Sequence, residues 1–199
     1  MSAAELAGQA GSPKRADARR NYDRLLAAAK AAFAEHGADD VSLEEIARRA
    51  GVGIGTLYRH FPARQALLEA VYKDQVDGLD ALGAKLLVAE SPGEALADWM
   101  RAFMAFARTK RSLSSALAAT IGKNSEFMSA CSMVLRSRTD ELLSRAQEAG
   151  EARPEVQVAD IFRLTHGLIM ATETEPSDPD QPRRLASLVI SSVLANSRL

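Results

Sequence analysis

From about residue 16 onward, almost every stretch of this 199-residue chain repeats its apolar residues at helical spacing, and nowhere does apolar/polar alternation persist long enough for a strand. A chain patterned in this way folds as helices packed on helices, so the expected class is all-α. Breakers set the helix lengths. Gly37, Gly51 and Pro62 crowd together, whereas Pro92, Gly122, Gly150 with Pro154, and the Pro176, Pro179 and Pro182 cluster are widely spaced. Short helices therefore come first and long ones later. The pattern predicts about nine: Asp17 to His36, Leu43 to Ala50, Ile54 to His60, Arg64 to Val88, Pro92 to Thr109, Ser112 to Ile121, Ser125 to Ala149, Glu155 to Glu173 and Arg183 to Asn196. Two starts, Ser42 to Glu45 and Ser91 to Glu94, have the capping-box form, in which a Ser hydroxyl accepts from the third helical N–H and the Glu reaches back to the cap's own N–H.

Composition narrows the function classes. At 47% hydrophobic and 26% charged the chain can bury a real core. Cys131 is the only cysteine, which excludes an internal disulfide and a Cys-based zinc site. His36, His60 and His166 complete no ligand spacing, and neither a glycine-rich phosphate loop nor a nucleophile motif appears, so no metal, no cofactor and no catalysis are expected. The first residues do not follow the charge-then-apolar order of a signal peptide. The uncharged run from Leu185 to Ser197 falls short of the roughly 18 apolar residues of a membrane helix. The expectation is a cytoplasmic protein with no membrane segment. With 25 Lys and Arg against 26 Asp and Glu, the net charge of -1 excludes an indiscriminate nucleic-acid coat, which needs a large basic excess. Residues 12–30 nevertheless hold six Lys and Arg against two Asp, a local +4. Within this basic stretch Arg19 and Arg20 are candidate phosphate contacts, and residues 1–16 are expected to form a disordered arm.

The most specific segment is Val41 to Leu68. Leu43, Ile46, Ala47 and Ala50 line one side of a short capped helix, Gly51 permits a left-handed turn that Val52 plugs, and Leu57 and Phe61 make the apolar side of the next helix. This is a helix-turn-helix pattern. Leu25, Leu26, Ala29 and Phe33 give the preceding helix a matching stripe, so three helices can close a small core. Gly55, Thr56, Tyr58, Arg59 and His60 are left facing outward, with donors suited to phosphates and base edges, while Gly53 and Gly55 let the backbone approach a surface.

With its Ile46-Ala47, Gly51-Val52, Gly55-Thr56-Leu57-Tyr58-Arg59-His60-Phe61 and Arg64, the segment resembles the DNA-binding domain of the TetR family of bacterial transcriptional regulators. The resemblance implies that Thr56, Tyr58 and His60 hold phosphates at the edge of the major groove, and that Arg64 anchors another at the start of the fourth helix. It further implies that Ile54, Gly55 and Tyr58 lie nearest the bases and that Ser42 caps the second helix and touches the backbone. Gly53 stands where the family more often has Ser, and Arg64 where it more often has Lys. Ile54 with Gly55 offers no bidentate base reader, so the operator sequence is not legible. Arg59, the one long donor on the helix, is the candidate for a guanine contact, with a phosphate contact as the alternative.

Beyond Val88 only patterns remain. The only Trp, four of six Phe and five of six Met fall in three helices after Pro92. Simple core packing accounts for most of them, yet Met and aromatic residues also line adaptable apolar pockets. The TetR resemblance implies a small inducer in this region, apolar or amphipathic, with Trp99, Phe103, Phe106, Phe127, Met128, Cys131, Phe162, His166 and Met170 as candidate lining residues. His166 reads either as a buried neutral core residue or as a polar handle in that pocket. The last two helices are apolar on more than one side and so need cover, for which a second copy is the economical source. Phe162, Thr165, Ile169, Leu185, Leu188, Val189, Ser192 and Val193 are the candidate dimer contacts. The resulting expectation is a helix-turn-helix domain over residues 17–63 and a ligand-binding and dimerisation domain over residues 64–199. Together they would act as a homodimeric, ligand-responsive repressor on a palindromic double-stranded DNA operator. A regulator without a small-molecule inducer, or a helical interaction module without DNA binding, are the alternatives.

Overall fold

A computed structural model describes residues 13–123, 125–172, 178 and 180–195. Among them are nine α-helices: α1 (Pro13–His36), α2 (Leu43–Ala50), α3 (Ile54–His60), α4 (Arg64–Leu86), α5 (Pro92–Thr109), α6 (Arg111–Ile121), α7 (Glu126–Glu148), α8 (Val158–Ala171) and α9 (Gln181–Val193). The only β pairing among the described residues is an isolated bridge between Ala152 and Leu194. Residues 1–12 of the expected arm, Pro176 and Pro179 of the proline cluster, and Glu173 and Asn196 as expected helix ends lie outside the described residues. Residues 13–16 belong to α1, so this part of the expected arm is helical instead.

Contacts divide the chain into two compact units, residues 1–71 and 72–199, with α4 contributing to both. The division falls later than the expected 63/64 because Leu67, Leu68 and Val71, in the first turns of α4, are buried.

In the first unit α1, α2 and α3 pack against one another. The stripe of Leu25, Leu26, Ala29 and Phe33 is buried together with Ile46, Ala47, Leu57 and Phe61, as their spacing predicts. Burying each large apolar side chain contributes about 1.5–3 kcal/mol. The turn between α2 and α3 is set by Gly51, whose φ of 63° and ψ of 38° lie in the left-handed region that a residue with a Cβ avoids. Its N–H donates to the Arg48 carbonyl (3.1 Å) and that of Val52 to the Ala47 carbonyl (3.0 Å), the paired closure that satisfies the last carbonyls of a helix.

In the second unit α5 is central, packing on α6, α7, α8 and α9. Leu96, Trp99 and Met100 are fully buried on it. Trp99 stacks on Phe103 at 6.4 Å between ring centroids, and its indole N–H donates to Thr139 Oγ1 at 3.0 Å, which meets the one polar need of an otherwise apolar side chain. Helix α8 begins at Val158, after the expected Glu155. The Gln147 amide donates to the carbonyls of Arg153 and Val156 (2.9 Å each), while Arg153 N–H donates to the Val193 carbonyl, and these long-range bonds hold the segment outside the helix.

The capping boxes form only in half. Ser42 Oγ accepts from Glu45 N–H (3.1 Å) and Ser91 Oγ from Glu94 N–H (3.4 Å), as expected. The Glu45 carboxylate does not reach back; it takes hydrogen bonds from Arg48 and Arg49. At α5, Glu151 comes from the end of α7 to accept from Gly93 N–H (2.5 Å) and from the Ser91 hydroxyl (3.3 Å). A carboxylate placed at a helix N-terminus satisfies free donors and favours the helix dipole, so a remote residue fills the role that sequence assigned to a local one.

Candidate functional site

The outer face of the first unit is built on α3, a seven-residue helix with a single buried residue, Leu57. Ile54 is 38% exposed and Tyr58 46%, and Gly55 and Arg59 are exposed beside them. Two large side chains are thus held in water by a helix too short to be stable on its own. Beyond its chain neighbours and the backbone of α3 itself, no described atom lies within 4 Å of the position a Cβ on Gly55 would take, so packing against other elements gives no reason for its small size. Thr56 is half-buried. His60, expected to face outward, is half-buried as well, its ring edge-on to Tyr22 of α1 at 5.9 Å. Tyr22 also packs on Phe61 at 5.2 Å, which couples the end of α3 to α1. Arg19, Tyr22, Asp23 and His60 line a shallow groove there.

The cations of this unit fall into two groups. Arg49 bonds Glu45 (2.7 Å) and Glu35 (2.5 Å), and Arg48 bonds Glu45 (2.7 Å). Hydrogen bonds from Arg49, and then Arg48, hold the Glu45 carboxyl below its ordinary pKa, and that from Arg49 does the same for Glu35. Arg20 pairs with Asp17, and Arg24 donates to the Gly51 carbonyl at 3.2 Å. Arg19 and Arg59 carry no such bond among the described residues, and both are exposed. They remain available for an external anion.

Arg64 requires a correction. The resemblance implies a phosphate anchor, but its guanidinium is half-buried and donates to two backbone carbonyls, Val41 at 2.6 Å and Ala38. It ties the start of α4 to the segment between α1 and α2. Sequence reasoning saw a basic residue opening a helix and had no signal for the carbonyls it meets.

The second unit holds a half-open cavity of about 470 Å³ between residues of α4 to α8. Of the expected lining residues, Phe103, Met128, Phe162, His166 and Met170 line it. Trp99, Phe106, Phe127 and Cys131 do not: Trp99 is a core residue, while Phe106 and Phe127 pack edge-on against the ring of Tyr72 at 6.3 and 6.0 Å. Cys131 is buried, and burial pushes its thiol pKa up. His166 is exposed where it lines the cavity, so the buried-core reading of this residue is wrong. Sequence reasoning missed the polar lining, including Tyr72, Lys110, Ser114, Ser132 and Thr165.

Of the expected dimer contacts, Thr165 is 2% exposed and Val193 1%, so both face inward. Phe162 lies under the Arg136 guanidinium (4.4 Å) and, like Ile169, lines the cavity. Leu185 and Val189 are half-buried. Of the expected contacts only Leu188 and Ser192 of α9 are exposed; Leu164 and Gly167 of α8, outside that set, are exposed as well.

Two family models match the chain. Residues 25–71 match the model for bacterial regulatory proteins of the tetR family, and residues 91–193 that for the C-terminal domain of SbtR-like transcriptional regulators. Among solved structures, a TetR transcriptional regulator from Streptomyces coelicolor is 36% identical with a TM-score of 0.72, over 88% of this chain and 99% of that one. A TetR transcription regulatory protein from Mycobacterium vanbaalenii is likewise 36% identical, with a TM-score of 0.71, over 92% of this chain and all of that one. An HTH-type transcriptional regulator of Staphylococcus aureus (strain USA300) is 38% identical over 63 residues, 32% of this chain and 34% of that relative. The match to such curated relatives thus spans about a third of their length. No described helix is long and apolar enough to cross a membrane.

Proposed function

The chain belongs to the TetR family of bacterial transcriptional regulators, and from that premise we propose that it is a cytoplasmic, homodimeric repressor that leaves a palindromic operator when a small molecule enters the second unit. The observation that carries the DNA part is the exposed face of α3, where Ile54, Gly55, Tyr58 and Arg59 stand out from a capped helix-turn-helix core. Each dimer presents two such helices to successive major grooves about 34 Å apart. Tyr58 and Thr56 bind phosphates, Ser42 adds a backbone contact, and Arg19 and Arg20 reach neighbouring phosphates from α1. His60 acts beside Tyr22. Arg59 reads a base or takes a further phosphate.

Leu164 and Leu188, with Gly167 and Ser192 beside them in sequence, supply the surface that a second copy covers. The cavity in the second unit supports the ligand-responsive reading over a regulator without an inducer. Ligand binding shifts the population toward a dimer whose α3 spacing no longer fits the operator. Helix α4, which contributes residues to both units, is the route of coupling. The protein acts by binding and not by turnover.

A gel-shift assay of the full chain on the DNA upstream of its own gene tests this reading. Tyr58→Ala is expected to weaken retention with the fold intact by circular dichroism; unchanged retention would remove α3 from the DNA face.

A further inference from the structure

The polar lining of the cavity is one-sided. Lys110, Arg111 and Lys123 line it, and among the described residues no Asp or Glu does. Lys110 is half-buried at the junction of α5 and α6, its Nζ donating to Tyr72 Oη at 3.0 Å and lying 4.6 Å from the centroid of the Phe106 ring. No ion pair joins Lys110 to a carboxylate among the described residues. An ammonium has three donors, and Tyr72 takes one, so two remain for an acceptor that the described residues do not supply.

Thr165 adds a second, independent sign. It is 2% exposed and lines the same cavity, and its Oγ1 has no hydrogen-bond partner among the described residues. A buried helical threonine ordinarily donates to the carbonyl four residues back; here the hydroxyl is left unpaired, at the cost such a group carries when no partner is present. The rest of the wall is apolar, with Phe103, Phe162, Met128, Ile169 and Met170 on it.

Resting on the ligand-responsive reading above, we infer that the cavity binds a monocarboxylic acid with an apolar body: its carboxylate accepts from Lys110, Thr165 supplies a further hydrogen bond, and the body lies on the aromatic and thioether wall. Burial, which holds the Lys110 pKa down at about 8, shows the cost of a cation without a counter-charge; an incoming carboxylate supplies that charge. Lys123 adds positive charge to the lining and disfavours cationic ligands.

Trp99 is the only tryptophan and stacks on Phe103 of the cavity wall, so its fluorescence reports occupancy in the full-length protein. Octanoate and 4-phenylbutyrate would be titrated against their primary amides, with wild type, Lys110→Met, Lys110→Arg and Thr165→Val. The acids are expected to bind at least about tenfold more tightly than the amides. Lys110→Met should erase that preference, weakening the acids far more than the amides, and Lys110→Arg should keep it. Thr165→Val should weaken acid binding several-fold without loss of thermal stability. Equal binding of acid and amide, or an acid preference that survives Lys110→Met, would overturn the inference while leaving a ligand cavity in place. Binding of no probe, charged or neutral, would overturn both the inference and the reading it rests on.

Discussion

The two units treat positive charge in opposite ways. In the first, the α2 arginines are neutralised within the unit by Glu35 and Glu45, Arg64 is spent on two carbonyls, and exposed Arg19 and Arg59 remain without protein partners among the described residues. In the second, Lys110 is withdrawn from water and given a phenol and an aromatic ring, with no carboxylate among the described residues. The first arrangement suits a surface that must grip DNA at a few chosen points, because each unneutralised cation on the face adds sequence-independent affinity. The second suits an interior that waits for an anion, because a desolvated charge without a partner gains most when one arrives. A formal net charge of -1 conceals both.

The contrast can be broken most severely through the packing of the second unit. Trp99→Ala removes a fully buried indole, its bond to Thr139 and its stack on Phe103, and is expected to cost about 3–5 kcal/mol. Urea unfolding should show the loss, and hydrogen exchange should place it in the second unit with α2 and α3 still protected. Uniform loss of protection in both would deny the units their independence.

Arg64→Ala comes next. It leaves the Val41 and Ala38 carbonyls without their charged donor and should destabilise the first unit by about 1.5–3 kcal/mol. The salt dependence of DNA binding should stay as in wild type. A slope that falls by about one unit would restore Arg64 to the phosphate face.

Lys110→Met probes the other side of the comparison. The folded pKa of about 8 lies below the ordinary 10.5, so the folded chain binds fewer protons than the unfolded one as pH rises through that window, and wild-type stability rises with it. At pH 7 the variant should be more stable than wild type by roughly 1–3 kcal/mol, and the gap should narrow toward pH 9. Two other titratable groups bear on Lys110. Burial pushes the Tyr72 phenol up to about 12 and the Cys131 thiol also up, so both stay neutral over most of this range. A gap independent of pH, followed by chemical denaturation at each pH, would contradict the account of Lys110. Arg20→Ala should be the smallest effect, changing stability by no more than about 0.5 kcal/mol because its Asp17 pair is exposed.

What was legible in the sequence follows the range of the forces involved. Helices α2 and α3 have the bounds their caps and glycine predict, because Ser42, Gly51 and the Leu57–Phe61 spacing act within a few residues. The start of α8 was misplaced because the bonds that delay it come from Gln147 and Val193, on other elements. The same distinction governs the sites. The α3 face is one contiguous stretch, and the exposure of Ile54, Gly55, Tyr58 and Arg59 is legible in it, whereas Thr56 and His60 are half-buried, His60 against Tyr22, and Arg64 of α4 meets two loop carbonyls. The cavity gathers Tyr72, Met128 and Thr165 from three helices and Lys110 from the junction of two more. Its apolar members stood out by type, whereas Lys110 looked like any solvated lysine until folding brought it to Tyr72, 38 positions away. Val193 and Thr165 were misread as dimer contacts because an apolar helix does not declare in sequence which of its sides the rest of its own chain will cover.

The central claim is that the face of α3 holds DNA. Fluorescence anisotropy of the full chain on its own upstream fragment, repeated between about 50 and 200 mM salt, measures it directly. The account predicts affinity that falls linearly with log salt, and an Arg59→Ala variant that loses about 1–3 kcal/mol of binding while keeping its fold. Loss confined to one sequence would mark Arg59 as a base reader, and a slope smaller by about one would mark it as a phosphate contact. Affinity that ignores both the salt and the Arg59→Ala substitution would contradict the assignment of this face.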